Sequence, residues 1–170
     1  MQKLVLALAA VSTMGLAACS KKAPEELPPP PQQTTPTPPP APTGPAAAAP
    51  GTQAHFQQTM RGQDTIYFDT DKYDVDSQDQ AALRQQAQYL TQYAQVRATG
   101  EGHADERGTR DYNLALGERR ANAARNYLVS LGIPVNRITT VSYGKERPKA
   151  VGSNEAAYAQ NRRAVTVVIN

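Results

Sequence analysis

Apolar and polar positions change period several times along this chain, and the changes divide it. Lys3 precedes an unbroken apolar run, Leu4 to Val11, which gives way to small residues up to Leu16-Ala17-Ala18-Cys19. A long stretch without period follows. From residue 65 onward, short β-prone runs alternate with helical spacing. Thr65-Ile66-Tyr67-Phe68 predicts a strand ending in the acidic turn Asp69-Thr70-Asp71. Ser77, with Gln80 three residues on, reads as a capping box, and Leu83, Ala87, Leu90 and Ala94 recur behind it at helical spacing. Val96 to His103 predicts a second strand, weakened by Gly100 and Gly102. A longer helix is predicted from about Arg110 to Leu131, with Ala121, Ala124, Leu128 and Leu131 on one stripe and Gly132 as its stop. Ile138 to Tyr143 makes a third strand, Asn154 to Gln160 a short helix, and Ala164 to Ile169 a final Val-rich strand.

The order β-α-β-α-β-α-β predicts an α/β (α+β) two-layer sandwich, one sheet with helices on one face. The narrow apolar stripes argue against a doubly wound sheet covered on both sides. The pattern leaves the direction of the last strand open.

Composition confirms the division. Of 14 prolines, all but Pro134 and Pro148 fall between Pro24 and Pro50, whereas all eight tyrosines lie beyond residue 63. The predicted organisation is a signal peptide over 1–18, a lipidated amino terminus with a Pro/Ala-rich linker over 19–62, and one domain over 63–170. A positive start, a brief apolar stretch and small residues before a boundary describe a secretory leader. The run is too short for a transmembrane helix, which needs about 20 apolar residues. Leu-Ala-Ala-Cys19 resembles the lipobox of bacterial lipoproteins, in which the cysteine becomes the acylated first residue of the mature chain. Each buried lipid CH₂ contributes about 0.8 kcal/mol, so several acyl chains would hold Cys19 in a membrane nearly permanently. Ser20 is not the aspartate linked to inner-membrane retention, which points to the outer membrane. The proline-rich linker cannot bury enough apolar surface to fold and is expected to act as a spacer.

Net charge is +3 with both signs mixed, without the basic stripe of a nucleic-acid binder. The single cysteine excludes an intramolecular disulfide and a cysteine-based zinc site. The densest polar segment is Gly102-His103-Ala104-Asp105-Glu106-Arg107-Gly108-Thr109, between the second strand and the long helix, where loops held by the scaffold often carry ligands. A metal site on His103, Asp105 and Glu106 lacks further histidines, since only His55 remains, far away in the linker. The Gly-x-Gly-x-x-Gly dinucleotide pattern fails at Asp105. No serine or cysteine stands near His103 as a nucleophile, and adjacent carboxylates such as Asp105 and Glu106 rarely face each other across a substrate.

Arg120 is the remaining anomaly. It stands on the apolar stripe of the long helix, four residues before Ala124, where a guanidinium needs an anionic partner. Asp105 is the natural candidate. Two readings stand at this point: an internal Asp105–Arg120 salt bridge that locks loop to helix, or a site shared with a ligand.

Gly102-His-Ala-Asp-Glu-Arg-Gly-Thr109, Asn113, Leu116-Gly-Glu-Arg-Arg-Ala-Asn-Ala123, Val141-Ser-Tyr-Gly-Lys-Glu-Arg-Pro148 and Asn161-Arg-Arg-Ala-Val165 resemble the OmpA-like peptidoglycan-binding domain family, and the lipobox resembles its lipid-anchored members. The resemblance runs from about Thr65 to Asn170. It implies a non-catalytic, cofactor-free binding module for the meso-diaminopimelate of the peptidoglycan stem, whose side chain ends in an ammonium and a carboxylate. The family's ligand-binding aspartate falls at Asp105 and its arginine at Arg120; Asp71 matches a further aspartate, and amides near Thr109 would share the carboxylate. The resemblance also implies a tether between outer membrane and cell wall, with a TolB-like periplasmic protein and other components of the Tol–Pal envelope and cell-division system as partners. The chain departs from the pattern at Thr70, often aromatic in the family, at Gly100, and at Arg110-Asp111.

Overall fold

The computed structural model describes residues 48–169; the leader, Cys19 and most of the proline-rich segment lie outside the described residues. The alternating pattern resolves into α1 (Gln53–Met60), β1 (Thr65–Tyr67), α2 (Ser77–Gln92), β2 (Arg97–His103), α3 (Arg110–Ser130), a 3₁₀ turn (Val135–Arg137), β3 (Ile138–Gly144), α4 (Glu155–Asn161) and β4 (Arg163–Ile169). The four strands form one mixed sheet in the order β1-β4-β2-β3. β4 runs antiparallel to both β1 and β2, which settles the direction the pattern left open. β2 and β3 are parallel, and α3 makes the crossover such a pair requires. One face carries the buried residues Ile66, Ala98, Ile138, Ala164 and Val168. The alternate positions, among them Tyr67, Thr99, Thr139 and Val167, are partly or fully exposed, as expected of a sheet with helices on one side.

Four local expectations need correction. Helix α1 falls where a linker was expected: Thr52 caps it, Phe56 and Met60 enter the core, and Gln53 Oε1 accepts from the Val168 backbone at 2.7 Å. The folded body therefore begins ahead of residue 63. Its signal is faint because only two apolar residues, four apart, face the core. The N-cap of α2 is Asp76 rather than Ser77; its carboxylate accepts from Asp79 N at 2.8 Å, and a negative charge there also suits the helix dipole. Ala94 lies exposed past the end of α2. Leu131 caps α3 and is exposed instead of extending its buried stripe, and Gly132 follows at φ 96°.

The contact that matters most for the cleft joins α3 to β2. A Cβ added at Gly102 would run into the Gly117 carbonyl. Two glycines therefore let helix and strand approach backbone to backbone, one turn before Arg120.

Candidate ligand-binding cleft

Because Gly117 abuts Gly102, Arg120 arrives beneath the carboxyl end of β2, where it is fully buried. Its Nη1 donates to the His103 carbonyl at 2.9 Å, Nε to the Lys72 carbonyl at 2.8 Å, and Nη2 to the Asp69 carbonyl at 3.0 Å. The guanidinium also sits 5.2 Å from the Phe68 ring centroid. Burial, then the neighbouring Arg162 charge, pull its pKa down to about 10, so it stays a cation at physiological pH. Two of the three carbonyls belong to the loop between β1 and α2. A residue that breaks the apolar stripe of α3 therefore holds that loop in place.

Asp105 lies on the loop from β2 to α3. It is paired with Arg107 at 2.6 Å and lies 3.6 Å from Nη1 of Arg162. Burial alone would raise its pKa, but hydrogen bonds from Arg107 and the charges of Arg107 and Arg162 outweigh it and leave the carboxyl below the usual range. No ion pair joins Asp105 to Arg120 among the described residues. The internal-bridge reading is therefore set aside: each group is satisfied by others.

Both nevertheless line one cleft of about 260 Å³, with Thr70 and Asp71 on one wall and Tyr112, Asn113 and Leu116 on the other. That is slightly below the roughly 300–1,000 Å³ of sites for whole drug-sized ligands, and suits the end of an extended molecule. Asp71 adopts the left-handed conformation at φ 57° and accepts from the Tyr112 hydroxyl at 3.0 Å. Asn113 is buried and donates to the Arg107 carbonyl at 2.6 Å, fixing the loop to α3.

Three of the four ligand-binding candidates thus meet in one place: Asp71, Asp105 and Arg120. Thr109 does not line the cleft; it caps α3, its hydroxyl accepting from Tyr112 N at 3.3 Å. The sequence reading missed Arg107 and Tyr112. Tyr112 follows the Arg110-Asp111 departure and projects from the first turn of α3, a position that helical spacing from Leu116 predicts.

The rejected chemistries look no better in three dimensions. Glu106 turns away to accept from the Tyr158 hydroxyl at 2.9 Å, while the His103 ring stacks at 5.5 Å on Tyr143. Burial and the charges of Arg163 and Arg147 lower the His103 pKa to about 4. An acid held ionised by two guanidiniums is a poor proton donor, the reverse of what a catalytic acid requires.

Residues 67–162 match the model of the OmpA family. The chain is 48% identical over 161 residues to a peptidoglycan-associated lipoprotein of Rhizobium meliloti, covering 95% of this chain and 85% of that one. It is 51% identical over 125 residues to that of Agrobacterium fabrum, covering 74% and 70%. The crystal structure of the peptidoglycan-associated lipoprotein from Burkholderia pseudomallei superposes with a TM-score of 0.63 at 46% identity, covering 66% of this chain and 96% of that one. The C-terminal domain of Helicobacter pylori MotB shares the fold at 18% identity and a TM-score of 0.57. A mixed sheet with helices on one face, a match over the whole cleft-bearing region and relatives at this level of identity place the chain: it belongs to the OmpA family.

Proposed function

We propose that this protein is a non-catalytic tether, held in the outer membrane by lipid on Cys19 and gripping peptidoglycan through the meso-diaminopimelate of its peptide stem. The leader over 1–18 is removed, the proline-rich segment spans part of the periplasm, and the folded head docks on the wall. Among the described residues, no helix is long and apolar enough to cross a membrane. The relatives named peptidoglycan-associated lipoprotein support the wall-binding part of this reading and the anchor. A TolB-like protein and other Tol components are proposed partners on the ground of family resemblance.

One observation carries the ligand assignment: a single small cleft is lined by an ionised acid, Asp105, and by a buried cation, Arg120, that is not paired with it. A ligand tip bearing an ammonium and a carboxylate complements that arrangement, with Asp71 on the adjoining wall. Thr109 contributes as the cap that sets the start of α3. Charge-assisted contacts contribute about 1.5–3 kcal/mol each, so three at the strong end of that range reach micromolar affinity, about 8 kcal/mol.

The test is competition. Free meso-diaminopimelate is expected to displace the wild-type chain from purified sacculi, and Asp105→Ala to weaken sacculus binding at least about tenfold while remaining folded. Sacculus binding that is indifferent to both would overturn the assignment.

A further inference from the structure

The Asp105 carboxylate is already occupied. Arg107 donates to it three times: backbone N to Oδ1 at 3.1 Å, Nε to Oδ1 at 3.1 Å and Nη2 to Oδ2 at 2.6 Å. The same Nη2 reaches Thr70 Oγ1 on the facing wall at 3.3 Å, and the guanidinium lies 4.5 Å from the centroid of the Tyr158 ring. The Arg107 side chain is 44% exposed, against 9% for Asp105. A sheltered anion is thus paired with a cation that water already reaches. The main-chain bond to Oδ1 belongs to the loop and survives any change of the Arg107 side chain.

We propose that Arg107 is the specificity-determining residue of the cleft, an internal counterion that occupies the ammonium position at Asp105 and yields it only to a ligand bringing a carboxylate for the guanidinium in exchange. This rests on the diaminopimelate reading and deepens it by stating which amines are admitted. The cleft is lined by two acids, Asp71 and Asp105, and two guanidiniums, Arg107 and Arg120. An ammonium arriving alone at Asp105 strands Arg107 beside a like charge. A carboxylate arriving alone finds Arg107 already paired and offers Asp105 nothing. A zwitterion sets its ammonium on Asp105 and its carboxylate on Arg107, and every charge keeps a partner. The Tyr158 face supports the guanidinium while it changes partners. Arg120 is unsuited to this role, being buried and spent on three carbonyls.

Calorimetric titration of the full chain with three probes tests this: meso-diaminopimelate; 1,5-diaminopentane, with both amines and no carboxylate; and pimelate, with both carboxylates and no amine. Wild type is expected to favour diaminopimelate over diaminopentane by at least about tenfold, and Arg107→Ala and Arg107→Gln to shrink that ratio about tenfold, chiefly by admitting diaminopentane. An unchanged ratio in both folded variants overturns the proposal. So does loss of diaminopimelate binding with diaminopentane unmoved, which makes Arg107 a plain carboxylate anchor. If wild type binds none of the probes but the variants take diaminopentane, the counterion role stands and the diaminopimelate reading fails. Silence of all probes on every variant overturns both.

Discussion

The two charged ends of the cleft are held in opposite ways. Arg120 has no exposed surface, and its partners are backbone carbonyls from β2 and the loop after β1. Asp105 keeps one backbone bond, from Arg107 N, but its charged partners are side chains, one of them half in solvent. Backbone partners cannot leave without moving the fold, whereas a guanidinium at the rim can rotate away. One end is therefore architecture, the other an exchangeable contact.

The harshest way to break this contrast is Arg120→Met, which takes a buried donor from three carbonyls at once, that of Asp69 retaining Lys72 N at 3.2 Å. The expected loss is about 3 kcal/mol or more of stability, together with sacculus binding. Arg120→Lys, which keeps the charge but lacks the planar fork, should recover only part of the stability. Asp105→Asn should instead cost binding with a smaller loss of stability than Arg120→Met. Thermal unfolding beside co-sedimentation reads both effects, and equal destabilisation by the two changes would erase the distinction.

Asp79 sharpens the comparison, because it is a sheltered acid without a guanidinium. It accepts from Tyr67 N at 3.2 Å, and its Oδ2 has no partner. Burial, opposed by that bond and aided by Asp76, raises its pKa from 3.8 to about 6. A raised folded-state pKa gives stability that is complete below about pH 4 and lost as pH rises through 6. Wild type should therefore lose about 1–2 kcal/mol from this group between pH 4.5 and 7.5, and Asp79→Asn should not. Denaturant titrations at the two pH values decide it. Asp105 behaves oppositely: its lowered pKa preserves its contribution until pH falls below the ordinary carboxylate range.

The smallest effect belongs to the fully superficial pair. Arg110 meets Glu146 at 3.3 Å with both side chains largely exposed. Arg110→Ala should change stability by no more than about 0.5 kcal/mol, measured in the same titrations. A larger loss would mean that exposure is a poor guide to which contacts can be exchanged.

These contrasts also mark what the sequence could tell. Strands and long helices were legible because their apolar period runs for many residues. Helix α1 was not, since Phe56 and Met60 are its only buried residues and a proline-rich run precedes it. Arg120 announced itself by standing on an apolar stripe, and Asp105 by its loop. Their partners did not: in a run with Glu106 and Arg107 at hand, spacing cannot say which cation an acid takes, and Arg162 comes from the far end of the domain. The backbone carbonyls that satisfy Arg120 leave no trace in residue identity at all.

The Gly102–Gly117 approach gives the cleft an unusual dependence. Neither glycine lines it, yet the depth at which the Arg120 charge sits is set by how flush α3 lies against β2. A single methyl group at either position would prise helix from strand and lift the guanidinium off its seat. The proposed wall recognition can thus be lost through a change that leaves every charged side chain intact.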